Sequence, residues 1–236
     1  MSQLHWLESA ASTMSVARGD EYGHGDLIAT LNQTGGRGRL DRSWVMKPGE
    51  GLAMTLVLEW EKLPELAPRI PLLAGIALKR VLSDFSPGTE FDLKWPNDLL
   101  VLGKKLAGIL VEVRNETSVM VGLGINTNAT ELGPETATSL SLIGIAIKPE
   151  EIAERWRKTL LELAADLEDV SFNLLAERSV ATVGKTVRVE LPGGEVVRGV
   201  AVGIGDDGSL RVEVNGETMT VLAGDVTHLR HETEKQ

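Results

Sequence analysis

The chain has 236 residues, of which 42% are hydrophobic and 25% are charged. This composition is typical of a globular protein and excludes global disorder and fibrous structure. The absence of cysteine excludes a disulfide scaffold, a thiolate metal site, a cysteine nucleophile and an iron–sulfur cluster. The net charge of −10 opposes non-specific binding to nucleic acid and to anionic membranes.

Membrane and export signals are not found in the sequence. Residues 1–13 have neither a basic start nor an apolar run, so they do not resemble a signal peptide. The uncharged stretch 117–130 contains polar residues and glycines, and it is shorter than the roughly 20 apolar residues of a membrane-spanning helix. We therefore expect a soluble, cytoplasmic protein with no membrane partner.

The first part of the chain is predicted to contain strands interrupted by helices. Ser12 is expected to cap a short helix that extends to about Tyr22, because its hydroxyl can accept from a free first-turn amide. Residues 52–59 are largely apolar, which indicates a strand buried on both faces. Apolar spacing over residues 70–85 predicts a long helix, which ends before Pro87. Shorter strands are predicted at 26–32, 91–95, 99–102, 105–114 and 118–125.

A second long helix is predicted to begin at Pro149. Acidic residues follow at its positive amino end, as expected for a helix start. The helical spacing places one group of apolar residues on a common face, where they are expected to join the core: Ile152, Trp156, Leu160, Leu163 and Leu167.

The pattern changes near Thr182, and only short strands follow. They are predicted at 186–191, 196–204, 210–214 and 218–222, and Asn215-Gly216 between the last two is a strong hairpin signal. A meander of this kind indicates a small barrel packed as a second domain. We therefore expect an α+β protein with two domains, residues 1–181 and residues 182–236.

The first candidate site is a glycine- and arginine-rich loop at residues 35–44. Glycines let backbone amides approach an anion, and the guanidinium groups of Arg37, Arg39 and Arg42 can hold phosphate or carboxylate oxygens. The alternatives are a solvated basic loop and a segment that binds RNA, although the acidic net charge argues against RNA.

Two further candidates involve lysines. Lys94, Asn97 and Asp98 offer a cation, an amide and a carboxylate close together, although the same residues also suit a hairpin turn. Lys105 precedes an apolar strand with a small residue at Gly108, so its ammonium group can meet a carboxylate or phosphate in a pocket of low dielectric constant. The alternative for Lys105 is an ammonium group that simply reaches solvent at the start of a strand.

The fourth candidate is the segment 122–128. Glycines within a strand often mark the close approach of a ligand or backbone, and Asn126 can read a base or ribose edge; simple packing is the alternative. The sequence contains neither a dinucleotide-binding fingerprint nor a Walker A loop. His228 and His231 lie among charged residues without cysteine or a nearby acidic pattern, so we do not expect a zinc site.

Taken in order, the segments GRGRLDRSW, KWPNDLL, KLAGILVE and GLGIN resemble the biotin protein ligase family, and the resemblance extends from about Leu4 to the end of the chain. It implies a core related to class II aminoacyl-tRNA synthetases, with a mixed sheet flanked by helices, and a small SH3-like carboxy-terminal barrel. It also implies that biotin and ATP, with Mg²⁺, form biotinyl-5′-AMP. The biotinyl group then passes to a lysine of the biotin carboxyl carrier protein.

The resemblance implies roles for individual residues. Those expected to be catalytic are Lys105, Arg37 and Lys94. The expected biotin site contains Ser12, Thr13, Met14, Gln33, Arg37, Gly38, Arg39, Lys105 and Gly108. The expected ATP and adenylate site contains Arg39, Arg42, Trp44, Asn97, Asp98 and Asn126, with Asp98 also contacting Mg²⁺. Met14 stands where the family's Ser-Thr-Asn segment has asparagine, which puts one polar contact in doubt.

Some family members carry an amino-terminal helix-turn-helix domain and repress biotin genes. Here the resemblance begins shortly before Ser12, so we expect an enzyme that does not bind DNA. The resemblance also allows a homodimer through an exposed sheet edge. Two alternative functions stay open at this point: a lipoate or octanoate ligase with a related core, and a biotin-binding module without enzymatic activity.

Overall fold

The computed structural model describes residues 2–40, 42–60, 67–165 and 172–229. Sequence predictions that involve Asp41, Leu167 and His231 lie outside these residues. Among the described helices, none is both long and apolar enough to cross a membrane.

A mixed sheet forms the base of the larger part of the molecule. The strands in this part are β1 (Leu4–Leu7), β2 (Leu27–Thr30), β3 (Gly36–Arg37), β4 (Ser43–Trp44), β5 (Gly51–Glu59), β6 (Phe91–Lys94), β7 (Asp98–Val101), β8 (Lys104–Asn115) and β9 (Ser118–Asn126). Seven of them form one sheet in the order β1-β2-β5-β9-β8-β7-β6, and β3 pairs with β4 in a separate hairpin. β1 and β2 are parallel, whereas the other neighbours in the sheet are antiparallel.

Helices cover the two faces of this sheet unequally. The helices are α1 (Thr13–Val16), α2 (Ile70–Phe85), α3 (Pro149–Ala165) and α4 (Phe172–Ser179). α2 packs on one face with α3 against it, where buried Trp156 donates a hydrogen bond from Nε1 to the Ala74 carbonyl at 3.0 Å. The short helix α1 lies on the opposite face, over a smaller apolar cluster that contains Met14, Ile28 and Met120. That second face is left partly open, and the candidate site lies there.

The strongest sequence patterns of this part are confirmed. Helix α2 has the predicted bounds, and β5 is buried along nearly its whole length. Helix α3 begins at Pro149 as predicted, with Ile152, Trp156 and Leu160 buried and Leu163 half-buried. Strand β1 and helix α4 were not predicted.

The prediction of a helix from Ser12 to about Tyr22 is wrong. α1 ends at Val16, and Ser12 makes no side-chain hydrogen bond as a cap. The chain turns after the helix because Arg114 of β8 donates hydrogen bonds of 2.6 Å to the carbonyls of Gly19 and Tyr22. A tertiary contact therefore overrides the local helix preference.

The carboxy-terminal part forms a second, antiparallel sheet. Its strands are β10 (Thr186–Glu190), β11 (Val196–Ile204), β12 (Leu210–Val214), β13 (Glu217–Val221) and β14 (Asp225–His228), in the order β13-β12-β11-β10-β14. The predicted hairpin at Asn215-Gly216 is confirmed, and both of its residues have positive φ angles, 53° and 86°. β14 was not predicted, and it brings the end of this sheet back toward the larger part.

Hydrogen bonds join the two parts around Trp95. Its backbone amide donates to Thr182 Oγ1 at 3.0 Å, and its indole Nε1 donates to the Gly208 carbonyl at 2.9 Å. The Thr182 hydroxyl also lies 3.0 Å from His228 Nε2. Burial, followed by the positive charges of Lys185 and Lys94, lowers the pKa of His228 from 6.5 to about 4, against the opposing charge of Asp92. His228 is therefore neutral at physiological pH.

We expect this histidine to make the unfolding free energy depend on pH between 6.5 and about 4. Its pKa is lower in the folded than in the unfolded chain, so the unfolded state binds the proton first as the pH falls. The contribution is fully present above pH 6.5 and is lost as the pH falls toward about 4. Because the ring is only partly buried, the loss should amount to about 1–2 kcal/mol.

Urea unfolding at pH 7.5 and pH 4.5 tests this expectation. The wild type should lose more stability between the two conditions than His228→Gln, whose side chain cannot titrate. His24→Gln, which alters an exposed histidine, serves as the control and should retain the wild-type difference. An equal loss of stability in the wild type and in His228→Gln would contradict the assignment.

Candidate active site

A cavity lies on the α1 face of the seven-stranded sheet, beneath the hairpin of β3 and β4. It brings together most of the residues that the sequence predicted for a site: Ser12, Thr13, Met14, Gln33, Arg37, Gly38, Arg39, Arg42, Trp44, Asn97, Asp98, Lys105 and Gly108. Further lining residues come from β5, β8, β9 and the second sheet, among them Met54, Leu110, Gly122, Gly124 and Asp225. The cavity therefore draws on parts of the chain that are far apart in sequence.

One end of the cavity is polar and uncharged. Gln33 Oε1 accepts hydrogen bonds from the Thr13 amide at 2.9 Å and from Thr13 Oγ1 at 3.3 Å. Thr13 Oγ1 also lies 2.8 Å from Thr55 Oγ1, so the three side chains form a buried network. Such a network holds its groups in fixed directions, which suits the recognition of a polar, neutral ligand group.

Trp44 forms an aromatic wall of the cavity. Its indole lies against β9, where a Cβ atom at Gly124 would come within 2.5 Å of the Trp44 Cε2 atom. The ring also approaches Gly108, where a Cβ atom would lie 3.5 Å from Cζ3. Gly108 and Gly124 therefore permit the close approach of the indole. For Gly124 this is the simple packing that the sequence analysis gave as the alternative to ligand contact.

Met14, which stands where the family's Ser-Thr-Asn segment has asparagine, packs among apolar residues. The side chain is 5% exposed and belongs to the apolar cluster under α1. A Cβ atom at Gly122 would lie 3.2 Å from its sulfur atom, so methionine fills the space over this glycine. At this position the chain has a buried apolar contact at the rim of the cavity.

Lys105 reaches the cavity because of a β-bulge. Leu99 pairs with Ala107 but Leu100 pairs with Lys105, so Leu106 is an extra residue in β8. One extra residue reverses the alternation of side chains, and it places Lys105 on the same face as Gly108. The Lys105 Nζ atom lies 2.6 Å from Asp98 Oδ1 of the neighbouring strand.

Two arginines of the hairpin loop are held by the second sheet. Arg42 Nη2 lies 2.6 Å from Asp225 Oδ2 at the start of β14. Arg39 Nη1 donates hydrogen bonds of 3.3 Å to the Gly224 carbonyl and to Asn97 Oδ1. The hairpin loop is therefore fastened across the cavity by contacts with both parts of the molecule.

Burial and charge act in opposite directions on these groups. Burial lowers the pKa of Arg39, while the charges of Asp225 and Asp98 raise it less. Burial alone raises the pKa of Asp225, but its hydrogen bond with Arg42 and the nearby cations bring that pKa below its usual value. The hydrogen bond and charge of Asp225 raise the pKa of Arg42. The contact between Asp225 and Arg42 therefore favours the charged form of both side chains.

Two predicted site residues do not line the cavity. Asn126 is 6% exposed, and its Nδ2 atom donates a hydrogen bond of 2.9 Å to the Thr138 carbonyl. Lys94 lies beside the cavity, near enough for its charge to lower the pKa of both Asp225 and His228. Sequence reasoning missed Asp225, since no local pattern signals a contact with Arg42 at a separation of 183 residues.

Two family models and several known proteins are similar to this chain. The sequence model of the Biotin/lipoate A/B protein ligase family matches residues 7–128, and that of the Biotin protein ligase C terminal domain matches residues 182–229. The chain is 38% identical over 222 residues to the biotin–[acetyl-CoA-carboxylase] ligase of Mycobacterium tuberculosis, covering 87% of this chain and 80% of that protein.

Solved structures of biotin protein ligases are also similar to this chain. The biotin protein ligase of Aquifex aeolicus in complex with biotin and ATP superimposes with a TM-score of 0.83 at 27% identity, covering 98% of this chain and all of that one. The Leishmania major enzyme in complex with biotinyl-5-AMP has a TM-score of 0.64 at 25% identity, covering 97% and 98% of the two chains. The chain therefore belongs to the biotin/lipoate A/B protein ligase family.

Proposed function

We propose that this protein is an ATP-dependent biotin ligase. It activates biotin as biotinyl-5′-AMP and transfers the biotinyl group to a lysine of a biotin carboxyl carrier protein, in acetyl-CoA carboxylase or a related system. The observation that carries the proposal is a cavity that joins the neutral Thr13–Gln33 network to a cluster of fixed cations that includes Lys105, Arg39 and Arg42. The named activity of the Mycobacterium tuberculosis relative supports it.

The first step joins two anions. A biotin carboxylate oxygen attacks the α-phosphorus of ATP, an oxygen–phosphorus bond forms, and pyrophosphate leaves. Fixed cations oppose the repulsion between the two reactants and stabilise the charge that builds on the phosphate oxygens. Lys105 is the proposed main cation because the bulge directs it into the cavity and Asp98 holds its ammonium group. Arg37 and Lys94 are the other proposed catalytic residues.

The second step uses the activated acid. The neutral amine of the carrier lysine attacks the carbonyl carbon, a carbon–nitrogen bond forms, AMP leaves, and the amine loses a proton. Gln33 and Thr13 are proposed to bind the ureido group of biotin, while Ser12, Met14, Gly38 and Gly108 complete the biotin side. Trp44, Asn97 and Asn126 are assigned to the adenylate side. Holding both reactants in one cavity replaces an encounter in solution by a pre-aligned reaction.

The residues present fit a magnesium ion that arrives with the nucleotide. Among the described residues no group of three or more acidic or histidine side chains forms a metal site. Mg²⁺ in nucleotide sites is commonly bound by one or two carboxylates together with phosphate oxygens and water, so Asp98 is a sufficient protein contact. The ion would reduce the negative charge of the phosphates.

The proposal includes several predictions beyond the reaction. We expect the larger part, residues 1–181, to be related to class II aminoacyl-tRNA synthetases, and residues 182–236 to form an SH3-like barrel domain. A cytoplasmic location, the lack of sequence-specific DNA binding, and a homodimer through a sheet edge remain predictions. Gel filtration and an electrophoretic mobility assay at physiological salt address the last two.

Transfer of labelled biotin to an added biotin carboxyl carrier domain tests the proposed function. The full chain with ATP, Mg²⁺ and biotin should release pyrophosphate and label the carrier lysine. Lipoate and octanoate are supplied in parallel reactions, and their transfer in place of biotin would favour the alternative ligase. Biotin binding without pyrophosphate release would indicate a binding module and would contradict the proposal.

We expect Lys105→Ala to abolish pyrophosphate release while leaving the fold intact. The Lys105 side chain is 38% exposed and buries little apolar surface, so the free energy of unfolding should change by less than about 1 kcal/mol. Its exposed neighbour offers a matched control, because Lys104→Ala removes the same charge outside the cavity. Wild-type rates for Lys105→Ala in a pyrophosphate-release assay would remove this lysine from its assigned role.

We expect Asp225→Asn to loosen the hairpin loop without unfolding the second sheet. The ion pair with Arg42 is partly exposed and contributes little stability, but it is one of the contacts that hold the loop over the cavity. The variant should release severalfold more free biotinyl-5′-AMP before transfer, measured by chromatography of the reaction mixture. Asp206→Asn, on an exposed turn of the same sheet, should behave as the wild type. Equal release from all three proteins would show that Asp225 does not retain the adenylate.

A further inference from the structure

Glu112 lies outside the lining of the candidate active site, but it contacts a cation that lines it. Arg37 Nη2 lies 3.1 Å from Glu112 Oε1 and 3.3 Å from Oε2. We infer that Glu112 is a positioning residue for the adenylation step, acting through Arg37. The inference rests on the proposed function, and it assigns a role to a carboxylate that the sequence analysis did not single out.

β8 explains how this carboxylate comes to stand beside the cavity. Beyond the bulge, Gly108, Leu110, Glu112 and Arg114 alternate onto the face of the sheet that carries α1. Gly108 and Leu110 line the cavity itself, and Glu112 follows at its outer rim in a groove below the hairpin loop. The strand that carries Lys105 into the cavity therefore also carries the carboxylate that holds Arg37.

Glu112 can hold Arg37 in place without cancelling the positive charge at this site. Glu112 also contacts Arg18 through Oε2, so two guanidinium groups share one carboxylate and the group of three keeps a net positive charge. Within the described part of the chain, the hydrogen bond and the ion pair of the Arg37 side chain both involve Nη2, and neither involves Nε or Nη1. These donors stay available for a phosphate or carboxylate oxygen while Nη2 is held.

The contact of Glu112 with Arg18 links Glu112 to the segment after α1. Arg18 follows Ala17, the C-cap residue of α1, and α1 is the helix that presents Thr13 to the polar end. Arg114 independently holds the same segment through the carbonyls of Gly19 and Tyr22. Loss of the Glu112 charge should therefore free Arg37 while leaving the Thr13 end in place.

This assignment predicts a particular kinetic signature. An arginine side chain has several rotatable bonds, and fixing it beforehand spares the transition state that loss of freedom. Glu112→Gln keeps the size of the side chain and removes its charge. We expect it to lower kcat for pyrophosphate release on the order of tenfold, while KM for biotin changes less than about twofold.

The test compares four variants of the full chain in a pyrophosphate-release assay. They are Glu112→Gln, Arg37→Gln, the double variant, and Glu116→Gln, which makes the same change on an exposed turn after β8. The two single variants at Glu112 and Arg37 should lower kcat, and the double variant should be no slower than Arg37→Gln alone. Glu116→Gln should match the wild type.

The outcomes separate this inference from the proposed function. An active wild type with equally active Glu112→Gln overturns the role of Glu112 alone. A further loss when Glu112→Gln is added to Arg37→Gln overturns it as well, because the effect then does not pass through Arg37. A wild type that releases no pyrophosphate overturns the proposed function together with this inference.

Discussion

The Lys105–Asp98 pair shows the constraint on which the rest of the site depends. An acidic protein must hold several cations close together beside a cavity, where they repel one another and lose contact with water. The structure meets this constraint by giving the cations separate partners on different elements: Asp98 on β7 for Lys105, Glu112 on β8 for Arg37, and Asp225 on β14 for Arg42. Partly exposed ion pairs of this kind contribute little to the stability of the fold. Their main effect is to fix the positions of the positive charges.

The same constraint explains why the second sheet belongs to the site. The hairpin of β3 and β4 has only two residues in each strand, and among the described residues it pairs with no other strand. A hairpin this short has little stability of its own. Contacts of Arg39 with the Gly224 carbonyl and of Arg42 with Asp225 help to hold the hairpin in place. The second sheet thus takes part in building the cavity, and the Trp95 hydrogen bonds to Thr182 and Gly208 fix its place.

Patterns with a local cause could be predicted from the sequence, and contacts over long separations could not. Helical periodicity predicted the bounds of α2, and a continuous apolar run predicted the burial of β5, because both patterns reflect which residues face the core. The end of α1 was mispredicted because Arg114, about a hundred residues away along the chain, binds the carbonyls after it. Asp225 and Glu112 were missed for the same reason. An aspartate at the start of a short strand and a glutamate within a long one do not stand out in the sequence until the fold places an arginine beside each.

Lys105 lines the cavity as the sequence predicted, but the local structure that brings it there could not be predicted. Strict alternation along β8 would put Lys105 on the face of Ala107 and Ile109, which pack into the large core under α2. The extra residue Leu106 reverses this order, and the lysine then faces Gly108 and the indole of Trp44, 5.8 Å from its ring centre. A bulge has no reliable signature in a single sequence. It follows from the pairing of β8 with β7, and that pairing decides whether the charge of this lysine faces the core or the cavity.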